Sequence, residues 1–224
     1  MAVVLSCEVA GNDWPSRCEG TIDRSHVVLR TPDLIAGRVA RGIAGGGDWP
    51  YVGYPHNLGL IDVTKQTRNR RLLAATMRPH RERLLRELYV PYHDRLAGEL
   101  TRVIVNHGFV VHMTVSTFGL RTPAGNIRRG DVGFAHDITN ADAVDFTLDL
   151  IDVMYEVAPM IKARRNFPRG DGVDSIVKSM RSRFGSGRYI GLQLMCNRAW
   201  ARHDNPMTRR AIKLLAAAID EVIR

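Results

Sequence analysis

Cysteine is scarce in this chain: Cys7, Cys18 and Cys196 are the only three among 224 residues. An odd number without paired spacing excludes a disulfide framework. No apolar run approaches the ~20 residues that span a bilayer, so no membrane partner is expected. Residues 1–5 are apolar but carry no basic residue, and Glu8 interrupts them. They read as a first strand and not as a signal peptide, which makes the cytoplasm the expected compartment. There is no internal repeat and no low-complexity tail. Acidic residues are outnumbered, 23 against 32 basic, for a net charge of +9. That excess favours acidic partners. It gathers in residues 65–86, 162–169 and 178–188. No zinc-finger, helix-turn-helix or RNA-recognition pattern accompanies it, so a solvated basic surface or a small anionic ligand is favoured over nucleic acid.

What is present is ordinary for a globular protein. Apolar residues make up 45%, and the length suits one domain over residues 1–224. Short β-rich runs alternate with amphipathic stretches. Val3-Val4-Leu5-Ser6-Cys7 reads as the first strand. Residues 33–44 have helical spacing after Thr31-Pro32, and Gly45-Gly46-Gly47 is expected to end that helix. Residues 58–63 read as a second strand. Leu84, Leu88, Tyr92, Leu96, Leu100 and Ile104 recur every fourth residue and define one helix face. Pro91 lies within that run and should kink or divide it. The run from Phe109 to Val115 suits a central strand covered on both faces.

Residues 124–131 read as a loop or hairpin. Asn140 can cap a helix over 141–157. A strand near 161–164, a Gly-rich loop over 168–172, a helix over 175–184 and a strand over 189–196 follow. Asn205-Pro206 opens a last helix striped by Ile212, Leu215, Ile219 and Val222. This alternation predicts an α/β fold: a mainly parallel, mixed central sheet with helices on both faces. Ligands of such sheets gather at the carboxyl ends of the strands. The rule points to residues 8–12, 62–65, 116–118 and 195–198.

The eight histidines show no His-x-x-x-His spacing, and the cysteines no Cys-x-x-Cys. His112 reads as a hydrogen-bonded core histidine, while His26, His136 and His203 read as surface or loop residues. Cys7, inside an apolar strand, should have a raised pKa and poor access. Ser116 and Thr117 stand at a strand end without a nucleophile-elbow motif, and read as hydroxyls lining a pocket. Arg169-Gly170-Asp171-Gly172 lacks the spacing of a phosphate-binding loop. Tyr92 fits core packing and support of a site equally well.

The same strand ends carry a resemblance. Ser6-Cys7-Glu8-Val9-Ala10-Gly11-Asn12 is similar to the Ser-Cys-Glu-His-Ala-Gly-Asn segment of N-formylglutamate amidohydrolase-like proteins. Leu60-Ile61-Asp62-Val63-Thr64-Lys65 is similar to their Leu-Val-Asp-Leu-Asn-Arg. Tyr89-Val90-Pro91-Tyr92-His93 matches Tyr-x-Pro-Tyr-His. The segment from His112 to Phe118 resembles His-x-Ser-Val-His-Ser-Phe and is followed by Asp131-Val132-Gly133. Arg165-Asn166-Phe167-Pro168 with a later Asp174 resembles Arg-Asn-Tyr-Pro. Residues 191–198 resemble Gly-Ile-Glu-Leu-Glu-Val-Asn-Gln. Six matches in order cover most of the chain.

The resemblance implies a zinc-carboxypeptidase-like α/β fold and a polar pocket of Glu8, Asn12, Lys65, Ser116, Thr117, Arg165, Asn166 and Asp174. It also implies a zinc ion held by two histidines and an acid, and a glutamate general base. Here the histidine positions hold Val9 and Ser116, and the base position holds Met195. Asp33 stands for the acid, and Lys65 replaces an arginine expected to grip a carboxylate. Zinc needs about four ligands drawn from thiolate, imidazole and carboxylate. Without them no bound water is activated, and without a carboxylate at 195 nothing there accepts its proton. The expectation is a divergent relative with no metal, no other cofactor and a small anionic, amino-acid-like ligand. A metal-independent enzyme of specialised metabolism and a non-catalytic binding protein are the alternatives. No catalytic residue is assigned, and the oligomeric state is left open.

Overall fold

A computed structural model of the chain describes residues 2–168 and 175–224. The elements follow in order as β1 (Ala2–Cys7), α1 (Leu34–Gly47), β2 (Tyr51–Gly53), α2 (Arg81–Leu84) and α3 (Val90–His107). Then come β3 (Val110–Phe118), β4 (Val132–His136), α4 (Ala141–Val157), β5 (Ala163–Arg165), α5 (Ser175–Phe184), β6 (Tyr189–Asn197), α6 (Arg198–Ala201) and α7 (Pro206–Ile223). One six-stranded sheet runs in the order β2-β1-β3-β6-β4-β5. β2, β1, β3 and β6 are parallel, and β4 runs antiparallel to β6 with β5 parallel to β4. The mainly parallel, mixed α/β architecture expected from the alternating pattern is the one observed. Among the described residues no helix is long and apolar enough to cross a membrane.

Two apolar clusters sandwich the sheet. On one face Val3, Leu5 and Cys7 of β1 pack with α1, α4 and α7. On the other, Val4 and Tyr189 pack with Leu96 and Leu100 of α3 and Val177 and Met180 of α5. Side chains alternate across a strand, so even-numbered positions of β1 and β3 and odd-numbered positions of β6 point toward α3 and α5. That parity decides which residues can share a site.

Several local expectations are corrected. Residues 58–63 form no strand. Leu60, Ile61 and Val63 are buried, but Asp62 turns back to accept from the Thr64 amide and hydroxyl, and its own amide donates to Leu72. An apolar run of that length says little about backbone form when side-chain bonds compete for the chain. The second strand is instead Tyr51–Gly53, on the far edge of β1. The three glycines do not end α1; the helix runs through Gly47, and Asp48 closes it at φ 52. A side chain at Gly46 would lie 2.7 Å from Ala216, so this glycine face admits α7.

The division expected at Pro91 is present: the regular helix stops at Leu84 and restarts at Val90. Pro91 sits in the first turn of α3, after a π-helical turn over Leu85–Tyr89, where its missing N–H costs little. All six residues of the every-fourth-residue stripe are buried. β4 answers to no sequence expectation, because Gly133 and His136 break its apolar pattern. His136 is fully buried there and is not a surface residue. The Gly-rich loop over 168–172 lies mostly outside the described residues.

Candidate functional site

The carboxyl ends of β1, β3 and β6 lie side by side. Register brings Ser6 beside Thr114, Thr114 beside Gln193, and Ser116 beside Met195. By parity, all five side chains lie on the face toward α3 and α5. Beneath them His112 accepts or donates at both ring nitrogens, to Ser6 Oγ at 2.9 Å and Tyr189 Oη at 2.7 Å. It is the hydrogen-bonded core histidine expected. Burial pushes it down to about 3, so the ring is neutral. Above, Gln193 Nε2 donates to Ser116 Oγ at 3.3 Å. Thr114 Oγ1 is buried without a hydrogen-bond partner among the described residues.

Glu8 follows β1 and is buried at 3% exposure. Tyr92 of α3 donates to its Oε1 at 2.7 Å. Burial, and then the Glu8 charge, hold the Tyr92 hydroxyl far above its usual range, so it remains a donor. Tyr92 is thus packed in the core, as its place on the helix stripe predicted, and bonds to Glu8 as well. Asn12 Oδ1 accepts from Asn57 Nδ2 at 2.8 Å. The same Asn57 amide donates to the Arg30 carbonyl at 2.7 Å. Arg30 in turn donates to the buried Asp62 at 2.6 Å. Lys65 is half-buried, and its carbonyl accepts from Tyr89 Oη at 2.9 Å.

The opposite face carries a second polar group. Asp33 caps α1 by accepting from the Ala36 amide. Its other oxygen accepts from Thr117 Oγ1 at 2.5 Å and from Arg198 at 3.4 Å. Arg198 also donates to Thr117 Oγ1 at 2.6 Å. Val9 joins here: its carbonyl accepts the Asp33 amide at 2.8 Å, and it packs with the α1–α7 cluster. Ser116 and Met195 are therefore neighbours on one face, while Val9 belongs with Thr117 and Asp33 on the other.

Met195 is packed with Phe118, Ala135 and Phe167. The close approach of Phe167 depends on Gly133, where a Cβ would fall 1.8 Å from the Phe167 carbonyl oxygen. Arg165 is exposed on β5, two strands from β6. Asn166 ties that edge down, its amide donating to the Phe134 carbonyl at 2.8 Å and its Oδ1 accepting from the His136 amide at 3.0 Å. Asp174 lies outside the described residues. Sequence reasoning missed Arg30 and Arg198, the cations on Asp62 and Asp33. The available signal was that a buried carboxylate requires a cation or several donors.

No protein-family profile matches the chain, and no curated protein matches it. Solved structures do. Gene product Atu2144 from Agrobacterium tumefaciens superposes with a TM-score of 0.74 at 20% identity, over 99% of this chain and 92% of that one. N-formylglutamate amidohydrolase from Ralstonia eutropha JMP134 superposes with a TM-score of 0.58 at 15% identity, over 99% of this chain and 94% of that one. The chain has an N-formylglutamate amidohydrolase fold. The resemblance carried by the six short motifs is matched, at the level of fold, along nearly the whole chain.

The zinc ion that the motif resemblance implies can be tested against this amidohydrolase fold's own side chains, and they do not fit one. Val9 offers an isopropyl group to an apolar cluster. Ser116 is engaged by Gln193, and Met195 is enclosed by aromatic and aliphatic neighbours. Asp33 is already engaged by a helix N-terminus, a hydroxyl and a guanidinium. Among the described residues no three of His, Cys, Asp or Glu stand together as a ligand set. Cys7 and Cys196 are buried thiols held in the neutral form. Burial and then the Glu8 charge push Cys7 up to about 12, and burial raises Cys196 further.

Proposed function

We propose that the chain is a divergent protein of the N-formylglutamate amidohydrolase type. In this reading it has lost zinc hydrolysis and binds a small anionic, amino-acid-like ligand at the carboxyl edge of the sheet. One observation carries the reading: Ser116 and Met195 are register partners at that edge. By the motif resemblance, the positions expected to supply an imidazole and a carboxylate for zinc-dependent hydrolysis carry a hydroxyl and a thioether instead, while Val9, at the third such position, packs on the other face of the sheet. Attraction for an anion comes from the overall charge of +9. It also comes from Arg30 and Arg198, whose side chains are 49% and 55% exposed at the edge. Lys65 and Arg165 add to it, and Glu8, Asn12, Ser116, Thr117 and Asn166 supply polar contacts. No catalytic residue is assigned. The compartment in this reading is the cytoplasm.

N-formylglutamate, the compound in the name of the Ralstonia enzyme, is the first probe. Calorimetry is expected to detect its binding without turnover. Purification without chelators is expected to yield protein with no stoichiometric zinc. Lys65→Met or Arg165→Met should weaken binding by ~1.5–3 kcal/mol where the charged hydrogen bond is buried. One zinc per chain, whose removal abolishes deformylation, would overturn the reading. Unchanged affinity in both variants would remove Lys65 and Arg165 from the site. Turnover of the probe by zinc-free protein would instead select the metal-independent enzyme.

A further inference from the structure

The densest basic segment, residues 65–86, is not spread over a convex face. Part of it lines a cleft of about 550 Å³ whose walls include Arg68, Arg70, Arg78 and Arg81, with Thr67 and Asn69 between them. No carboxylate lines this cleft among the described residues. The contrast with neighbouring arginines is informative. Arg83 and Arg86 both pair with Glu87. None of the four cleft arginines has a carboxylate partner among the described residues, and the side chains of Arg70 and Arg78 make no hydrogen bond there either. Cations gathered without counter-charge repel one another, and such a cluster recruits an anion.

The cluster is also held in place before any ligand arrives. Leu72 and Leu73, which complete the lining, are buried at 1% and 7% exposure and join the core on the α3 face. The intervening turn is closed by Asn69 N to Gln66 O at 2.9 Å and Leu72 N to Asn69 O at 3.1 Å. Asn69 Oδ1 accepts the Arg71 amide at 2.8 Å. Arg81 donates to the Thr67 carbonyl at 2.8 Å, and Arg68 Nε to Gln66 Oε1 at 3.1 Å. The Arg68 and Arg81 forks are thus partly oriented, with N–H groups still available. Planar guanidinium forks match phosphate oxygens two at a time. A volume of this size belongs to small-molecule sites.

We propose that this cleft binds a phosphorylated small molecule through a di- or triphosphate group. Four guanidinium charges balance the three to four negative charges of such a group, and exceed what one monophosphate needs. The proposal does not depend on the reading of the carboxyl edge, because it uses other residues and another class of ligand.

Inorganic triphosphate is the direct probe, titrated by calorimetry into the full chain at moderate ionic strength. It is expected to bind at least tenfold more tightly than orthophosphate. The double variant Arg70→Met, Arg78→Met should weaken it roughly tenfold or more, and Lys213→Met on α7 should leave it unchanged. Both cleft arginines are exposed, so the variant is expected to keep its circular dichroism; if it does not, Arg70→Glu alone replaces it. No binding of triphosphate would overturn the proposal. So would equal affinity for triphosphate and orthophosphate, or equal loss in the Lys213 variant. A single-stranded RNA oligomer that binds more tightly with each added nucleotide, and displaces triphosphate, would overturn it in favour of a nucleic-acid surface.

Discussion

His112 offers the sharpest test of how the polar groups under the sheet edge are held. Its ring is fully buried between Ser6 and Tyr189, and burial lowers it to about 3. An unfolded histidine titrates near 6.5. Between those values the unfolded chain binds a proton that the folded chain refuses. Stability therefore rises with pH across this window and falls as pH drops below about 6.5. At about pH 5 the loss attributable to this ring is about 2 kcal/mol relative to about pH 7, by linkage. For a domain of this size that is a drop in Tm of about 4–8 °C. His56, His93 and His136 are also lowered by burial and act in the same direction, so the effect must be isolated.

His112→Gln retains a donor and an acceptor but cannot titrate. Urea or thermal melts of both proteins at about pH 7 and pH 5 should show the wild type losing about 2 kcal/mol more than the variant. If the glutamine variant does not fold, ring titration of the wild type by NMR gives the same answer, with His112 staying neutral well below pH 5. Equal losses in the two proteins, or a His112 titration near 6.5, would refute the account of a dry, neutral ring.

Three further outcomes follow from the same geometry. Tyr92→Phe removes a donor from buried Glu8 and should cost about 1–3 kcal/mol in a urea melt; a neutral result would mean that water replaces the phenol. Gly133→Ala pushes a methyl onto the Phe167 carbonyl and should destabilise by about 1–3 kcal/mol or more, with a wild-type melt counting against that packing. Cys7, raised to about 12, should resist iodoacetamide near pH 8 in the folded protein, since about one thiol in ten thousand is ionised. Rapid stoichiometric labelling without denaturant would contradict its burial.

Much of this fold is legible in the chain because local chemistry and tertiary need agree. Asn140 caps α4 and Asn205 caps α7 through their own side chains. The stripe from Leu84 to Ile104 marks one buried face, and the apolar run of β3 marks a strand covered on both sides. These signals are local or strictly periodic, so each can be read without knowing what lies opposite. The failures share a different cause. Residues 58–63 are as apolar as a strand, but Asp62, Asn57 and Leu72 claim their hydrogen bonds. Tyr51–Gly53 and β4 are strands only because β1 and β6 offer them an edge.

For the candidate site, sequence alone determined side-chain identity: a valine, a serine and a methionine cannot become imidazole or carboxylate in any fold. It also determined that Cys7 would be a protected thiol. Only the tertiary structure decided which of these residues meet. Strand register set Ser116 against Met195, and side-chain alternation put Val9 with Asp33 and Thr117 on the other face of the sheet. Arg30 and Arg198 became partners of Asp62 and Asp33 across 32 and 165 residues of chain. Side-chain identity is a property of one position, whereas proximity between strand ends depends on pairing and parity across the whole sheet, which no single stretch of sequence contains.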